Sequence, residues 1–173
     1  VSLSKNGQYQ IVFNNEKIML SNNYGNSWQF PQLFDNISEV YDLTISSSGQ
    51  YQIICTNNGT FISSNYGNSW SKLIYQSIDI YSKSVSVSEN GQYQYLVSNY
   101  PLIQGLVYAS TDFGNSWKTL SINEVHNIKC SGSGQYIFAS EISKSGYLSE
   151  NTMLRLLREL DISKDEMSIH GFR

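Results

Sequence analysis

Eight residues recur three times in this chain: Ser21 to Trp28 reads S-N-N-Y-G-N-S-W, Ser63 to Trp70 reads S-S-N-Y-G-N-S-W, and Ser110 to Trp117 reads S-T-D-F-G-N-S-W. Agreement this dense marks an internal repeat, and a period near 40 residues confines the chain to repeat architectures. The tryptophans stand 42 and 47 residues apart. A second marker, G-Q-Y, recurs at Gly7, Gly49, Gly91 and Gly134, with spacings of 42, 42 and 43. The third unit therefore carries five extra residues between Gln92 and Trp117, assigned to a lengthened loop at Tyr100 to Gln104.

Each unit carries strand signals in the same order. Ahead of every G-Q-Y lies an alternating segment: Val1 to Ser4, Leu43 to Ser46, Val85 to Ser88 and Ile128 to Ser131. A period of two predicts a strand with one buried and one polar face. Asn6-Gly7, Ser48-Gly49, Asn90-Gly91 and Ser133-Gly134 then supply the positive-φ residue of a tight hairpin. The following segments are continuously apolar (Ile11 to Phe13, Ile53 to Cys55, Tyr95 to Val97, Ile137 to Ala139), as expected of strands covered on both faces. A third strand, Lys17 to Ser21 or Thr60 to Ser63, runs into the eight-residue box, and a less regular fourth leads to the next unit.

Four short antiparallel strands per repeat of about 42 residues is the pattern of a β-propeller blade. The box resembles the Asp-box, or BNR, repeat S-x-D-x-G-x-T-W of sialidase-like and sortilin-like propellers, where it forms the hairpin between the third and fourth strands of a blade. The resemblance implies structural roles for Ser21, Asn23, Gly25 and Trp28, for Ser63, Asn65, Gly67 and Trp70, and for Ser110, Asp112, Gly114 and Trp117. An Asp or Asn side chain there holds the backbone of its own turn, and the glycine takes the left-handed conformation. The tryptophan fills the gap between sheets. Asp112 matches the pattern directly, whereas Asn23 and Asn65 replace the acid and Ser27, Ser69 and Ser116 replace threonine. The combined wording, G-Q-Y followed by N-Y-G-N-S-W, is similar to Asp-box repeat proteins encoded by giant viruses.

Composition removes several function classes. Charged residues are 14% of the 173 and the net charge is -3, so no basic face of the kind that neutralises many phosphates is available. No apolar run approaches the ~20 residues of a membrane span, and no signal-peptide pattern opens the chain. A soluble chain is expected, and its start at Val1 points to a fragment, a processed product or an incomplete chain. The sialidases that the box brings to mind resemble one another in clamping a carboxylate with three arginines. Here the only arginines are Arg155, Arg158 and Arg173, all outside the repeat, so that activity is not expected. Cys55 and Cys130 fall on apolar positions of the repeat, which makes them core thiols and favours a reducing compartment. His126 aligns with Tyr41 and Lys83, a surface position. No cofactor and no metal site is expected.

The repeat breaks in the fourth unit. In register, Gly and Trp should fall at positions 153 and 156, which hold Met153 and Leu156 instead. Met153, Leu156, Leu157 and Leu160 recur at helical spacing, with Ser149 or Asn151 as an N-cap and Ser163 with Glu166 as a second capping box. The wording from Leu148 to Arg173 resembles the catalytic domain of phage-type tyrosine recombinases (integrases). That resemblance places His170 and Arg173 on an H-x-x-R box whose two side chains contact a scissile phosphate. The remaining residues that such an enzyme needs are missing from the chain.

The sequence thus predicts a mainly β chain: an incomplete β-propeller of about three and a half four-stranded blades over residues 1–147, then a short helical, recombinase-like segment over 148–173. The units run near 1–39, 40–82, 83–124 and 125–147. A non-catalytic binding or structural module is expected, with a protein or carbohydrate partner on its loops and self-association as a way to close the propeller. A truncated or chimeric recombinase piece, with nucleic acid as its partner, is the alternative.

Overall fold

A computed structural model of the chain describes residues 1–14, 17–34, 36–98, 105–120 and 125–141. The lengthened loop at 100–104 and the helical expectation for 148–173 lie outside the described residues. The described chain forms antiparallel sheets in sequence order. The first contains β1 (Ser2–Leu3), β2 (Gln10–Phe13) and β3 (Ile18–Ser21), and the second β4 (Val40–Ile45), β5 (Gln52–Thr56), β6 (Gly59–Ser63) and β7 (Ser71–Lys72). A two-stranded ribbon, β8 (Ile74–Tyr75) and β9 (Ile78–Asp79), follows. The third sheet contains β10 (Ser82–Val87), β11 (Gln94–Ser98), β12 (Val107–Ser110) and β13 (Lys118–Leu120), and the fourth β14 (Val125–Cys130) and β15 (Ile137–Glu141). In the first sheet the fourth-strand position is reduced to a single bridge between Leu20 and Gln29.

Two of the four second strands behave as their composition demands, whereas β2 is only partly buried and Phe138 on β15 is exposed, each lying in an outer described sheet. Every residue of β5 and of β11 is buried, because both faces are covered by neighbouring sheets. The first strands depart from the expected apolar-in, polar-out alternation. Ser84 and Ser86 are buried, as are Ser4, Ser46 and Ser88 at the strand ends. Their hydroxyls are used in two ways. Ser4, Ser46, Ser88 and Ser131 accept the N–H of Tyr9, Tyr51, Tyr93 and Tyr136 across the turn. Ser84 and Ser86 bridge to the next sheet, accepting the N–H of Ile128 at 3.2 Å and of Cys130 at 2.9 Å. Asp42 does the same one sheet earlier, its Oδ2 accepting the Val85 N–H at 3.0 Å. A buried hydroxyl with a partner is tolerated where an unpaired one is not, which is why a polar residue sits on the inward face.

These bridges join edge strands. β4, β10 and β14 each begin their sheet, and they gather side by side while the later strands splay outward. Between successive sheets lie three apolar clusters. Ile11, Ile18 and Leu20 meet Ile45, Ile54 and Phe61; Ile53 and Cys55 meet Val85, Leu96 and Tyr108; Tyr95, Val97 and Val107 meet Ile128, Ile137 and Ala139. Each large side chain in these layers contributes about 1.5–3 kcal/mol by leaving water.

A second joint recurs at the turn between first and second strands. Lys5 N–H donates to the Ser47 carbonyl at 3.0 Å, Ser47 to Glu89 at 2.9 Å, and Glu89 to Gly132 at 2.8 Å, one bond per sheet boundary. Beside each bond, the tyrosine of one G-Q-Y lies flat on the glycine of the next. A Cβ on Gly49 would stand 2.1 Å from the Tyr9 ring, one on Gly91 2.0 Å from Tyr51, and one on Gly134 2.5 Å from Tyr93. These glycines also hold φ between 77° and 87°, so the position demands glycine twice over. The preceding Asn or Ser contributes its side chain and not a positive φ.

Candidate functional site

The three boxes are the corners at which the third strands end. Each is a closed hydrogen-bonding unit. In the first, Ser21 Oγ accepts the Gly25 N–H at 2.9 Å and donates to Asn23 Oδ1 at 3.1 Å, and that oxygen accepts the Ser27 N–H at 2.9 Å. Ser63, Asn65, Gly67 and Ser69 repeat these bonds at 3.0 Å each. Ser110, Asp112, Gly114 and Ser116 repeat them at 2.9, 2.8 and 2.9 Å.

The acid-to-amide exchange is accommodated by one rotor. Asn23 and Asn65 donate their Nδ2 to the Oγ of Ser27 and Ser69 at 2.8 Å. At Asp112 the direction reverses, and Ser116 Oγ donates to Oδ2 at 2.6 Å. A hydroxyl both donates and accepts, so either side chain closes the turn. The Ser116 hydroxyl, helped by the Ser116 N–H and the Ser110 hydroxyl, holds the Asp112 carboxyl below its ordinary value.

The tryptophans are half-buried. Trp70 packs edge-on to Phe34 with ring centroids 5.5 Å apart, and Trp70 and Trp117 donate Nε1–H to the Gly67 and Gly114 carbonyls at 3.1 Å. Trp117 packs against the cluster between the second and third sheets.

Several residues that carry the site have no role in the eight-residue pattern alone. The aromatic before each box glycine is itself left-handed: φ is 63° at Tyr24, 64° at Tyr66 and 65° at Phe113. Bulky residues adopt this conformation at a cost of about 1–2 kcal/mol. Their N–H groups, donating to the Gln8, Gln50 and Gln92 carbonyls at 3.0 Å, hold them there. The ring of Tyr66 then meets Tyr9 at 5.0 Å and that of Phe113 meets Tyr51 at 5.3 Å, each across a sheet boundary.

Gln10, Gln52 and Gln94 tie the two turns together. Each donates Nε2–H to the glycine carbonyl of its own G-Q-Y, at 2.8, 2.8 and 3.0 Å. Each Oε1 lies where a Cβ on the box glycine would come, 3.3 Å away at Gly25, 2.9 Å at Gly67 and 2.8 Å at Gly114. A sequence signal for this exists: G-Q-Y-Q occurs in the three units that have a box, and the fourth unit, which lacks one, reads G-Q-Y-I with Ile137 in that place.

Neighbouring boxes bound narrow crevices. The one between the second and third sheets has a volume of about 200 Å³ and is lined by Ser69, Trp70, Gln94, Phe113 and Asn115 among others, with no ionisable side chain. Its counterpart between the first and second sheets, at Asn22, Gln29, Tyr66 and Asn68, holds about 10 Å³. Roughly 300–1,000 Å³ is usual for a site that encloses a small molecule, so the larger crevice suits one protruding group.

Elsewhere the expected candidates stay apart. Cys55 is buried and free, and burial pushes its thiol well above its ordinary value; Cys130 is half-buried and raised for the same reason. His126 is exposed on β14. Among the described residues no three His, Cys, Asp or Glu side chains converge, and no helix is long and apolar enough to cross a membrane. His170 and Arg173 lie outside the described residues.

No protein-family model matches the chain, and neither does any curated protein sequence. Its structure is similar to solved β-propellers. A GH74 enzyme of Niastella koreensis aligns with a TM-score of 0.58 at 16% identity, over 81% of this chain and 25% of that one. YCF48 bound to D1 peptide aligns at 0.53 and 18%, over 81% and 46%. A nidogen/laminin complex aligns at 0.57 and 10%, over 81% and 54%. The chain thus spans between a quarter and about half of the length of these three structures. The likeness establishes the fold: the sheets are blades of a β-propeller.

Proposed function

We propose that this chain is a non-catalytic binding module built of Asp-box blades, and that the rim formed by its boxes docks an uncharged protein segment. The observation that carries the reading is the state of the box side chains. The serine, Asn or Asp and glycine of each box are engaged with one another. Asp112 is held as a carboxylate by its own turn, the reverse of what a general acid needs. What remains for a partner is the outward surface between boxes: Trp70, Phe113 and Asn115 around an uncharged crevice. Aromatic rings without charged neighbours are the composition of the core of protein-contact surfaces. Two of the structural neighbours are propellers solved with a protein or peptide bound, which lends the reading support by likeness of fold alone.

A displayed random-peptide library and a glycan panel, each presented to the whole protein, separate the possibilities. Uncharged peptides are expected to be enriched, with binding that changes less than twofold between 50 and 500 mM salt and weakens about tenfold in Phe113→Ala. Selective retention of glycans would move the partner to carbohydrate. Release of shortened glycans by the protein, abolished in a point variant, would end the non-catalytic reading.

A further inference from the structure

The crevices at the first and second blade boundaries are built from equivalent positions of the repeat, yet one is nearly closed and the other open. The first holds about 10 Å³ and the second about 200 Å³. The smaller value is about what one water needs. Two exchanges separate them. Asn22 and Gln29 line the first crevice, and the residues 42 places later, Ser64 and Ser71, line the second. All four are exposed at the rim, and the backbone beneath is alike: Gln29 pairs with Leu20 as Ser71 pairs with Ile62. What changes is the reach of the side chain. The wall opposite follows the same trend, with Tyr66 and Asn68 at the first boundary and Phe113, one hydroxyl shorter, with Asn115 at the second.

The open crevice is rigid as well as roomy. Trp70, on one side, is fixed by its indole bond to the Gly67 carbonyl at 3.1 Å, and Phe113, on the other, by its ring contact with Tyr51 at 5.3 Å. Neither ring has to be ordered when a group enters, which removes one of the costs of binding. The lining also selects what enters. A charged side chain meets no ionisable partner here and loses its water uncompensated. An aliphatic side chain covers the rings but strips water from the hydroxyls of Ser64, Ser69 and Ser71 and returns nothing to them. A phenol supplies a flat ring for the aromatic pair and a hydroxyl that both donates and accepts.

Resting on the reading of the box rim as a docking surface, we infer that the crevice at the second boundary receives one tyrosine side chain of the docked segment, and that Ser64 and Ser71 are the residues that open it. The first boundary, closed by Asn22 and Gln29, takes no side chain. One pocket in a row of similar boxes fixes where along the rim a segment sits. The repeat supplies the frame, and two small side chains at one boundary supply the register.

The indole N–H signals of the three tryptophans read the boundaries separately, because Trp70 borders the open crevice and Trp28 holds the equivalent place in the first box. N-acetyl-L-tyrosine amide, titrated into the isotope-labelled whole protein, is expected to move the Trp70 signal saturably and to leave Trp28 in place. Ser71→Gln, which installs the residue of the closed boundary, should weaken that response about tenfold. The reciprocal double variant, Asn22→Ser with Gln29→Ser, should gain a saturable shift at Trp28. The substituted positions are exposed, so both variants should keep the wild-type circular dichroism. The inference is overturned by a Trp70 signal that does not respond, by an equal response at Trp28 in the wild type, or by a Ser71→Gln variant that binds like the wild type. A larger response to N-acetyl-L-leucine amide or to methyl glucoside overturns it as well. Should library peptides still bind and Phe113→Ala still weaken them, these failures leave the docking reading standing; should no peptide bind, that reading falls whatever the probe does.

Discussion

The eight-residue box and the four-residue G-Q-Y-Q turn stand at the same end of each blade and do opposite work. The box is self-contained, since its serine, Asn or Asp and glycine bond to one another within five residues. The turn is relational: its tyrosine rests on a glycine one repeat away, and its second glutamine reaches across to the box. The longer and more conspicuous motif therefore shapes a corner, while the shorter one assembles the blades. A motif's visibility measures how local its partners are, and says little about how much of the fold depends on it.

Glycine substitutions give the largest test of this contrast. Gly91→Ala would place a Cβ 2.0 Å from the Tyr51 ring at a φ of 83° and force two blades apart. A loss of about 3–5 kcal/mol is expected from the clash and the backbone strain together. Gly67→Ala has the same backbone problem, but its Cβ meets a movable amide oxygen of Gln52 at 2.9 Å. About 1–2 kcal/mol is expected there. Urea denaturation of both reads the difference directly, and equal losses would erase the distinction between joint and corner.

A smaller effect is expected at the glutamine that links the two. Gln52→Leu removes the bond from Nε2 to the Gly49 carbonyl, yet it also removes a buried Oε1 that has no partner among the described residues. The two changes oppose one another, and a net change within about 1 kcal/mol is expected. A loss of several kcal/mol in the same titration would make the amide the principal tie between turn and box.

The smallest effect is confined to one box and has two internal controls. Hydrogen bonds from Ser116 foremost hold the Asp112 carboxyl below its ordinary value, so the folded chain binds that proton less readily than the unfolded one. The resulting stabilisation is fully present above about pH 4 and is lost as the pH falls through the lower folded value. Asn23 and Asn65 do not titrate. Amide exchange between pH 5 and 2 should show Ser116 losing protection relative to Ser27 and Ser69. Parallel loss at all three would trace the acid sensitivity to the blades and not to the box.

The legible and illegible parts of the sequence divide along the same line. Turn glycines, box closure by Asn23, Asn65 and Asp112, and the continuously buried strands β5 and β11 could be read because each shows in a run of a few residues. The burial of Ser84 and Ser86 could not, because alternation assigns serine to water and their acceptor roles are filled by backbone of the next blade. Positive φ at Tyr24, Tyr66 and Phe113 runs against residue preference and is imposed by a bond to the other turn. Gln10, Gln52 and Gln94 were legible in principle, through the replacement by Ile137 where the box is absent. The recombinase-like wording of 148–173 lies beyond the described residues and rests on its sequence.

The ladder from Lys5 through Ser47 and Glu89 to Gly132 passes one bond at a time from each blade to the next. An assembly held by such nearest-neighbour links behaves like a row of teeth on a zip. Opening begins at an end, where a blade has one neighbour, and advances inward blade by blade. Among the described blades the second and third, each held on both sides, are the last to let go, and any event that covers an outer blade slows the opening of all the others.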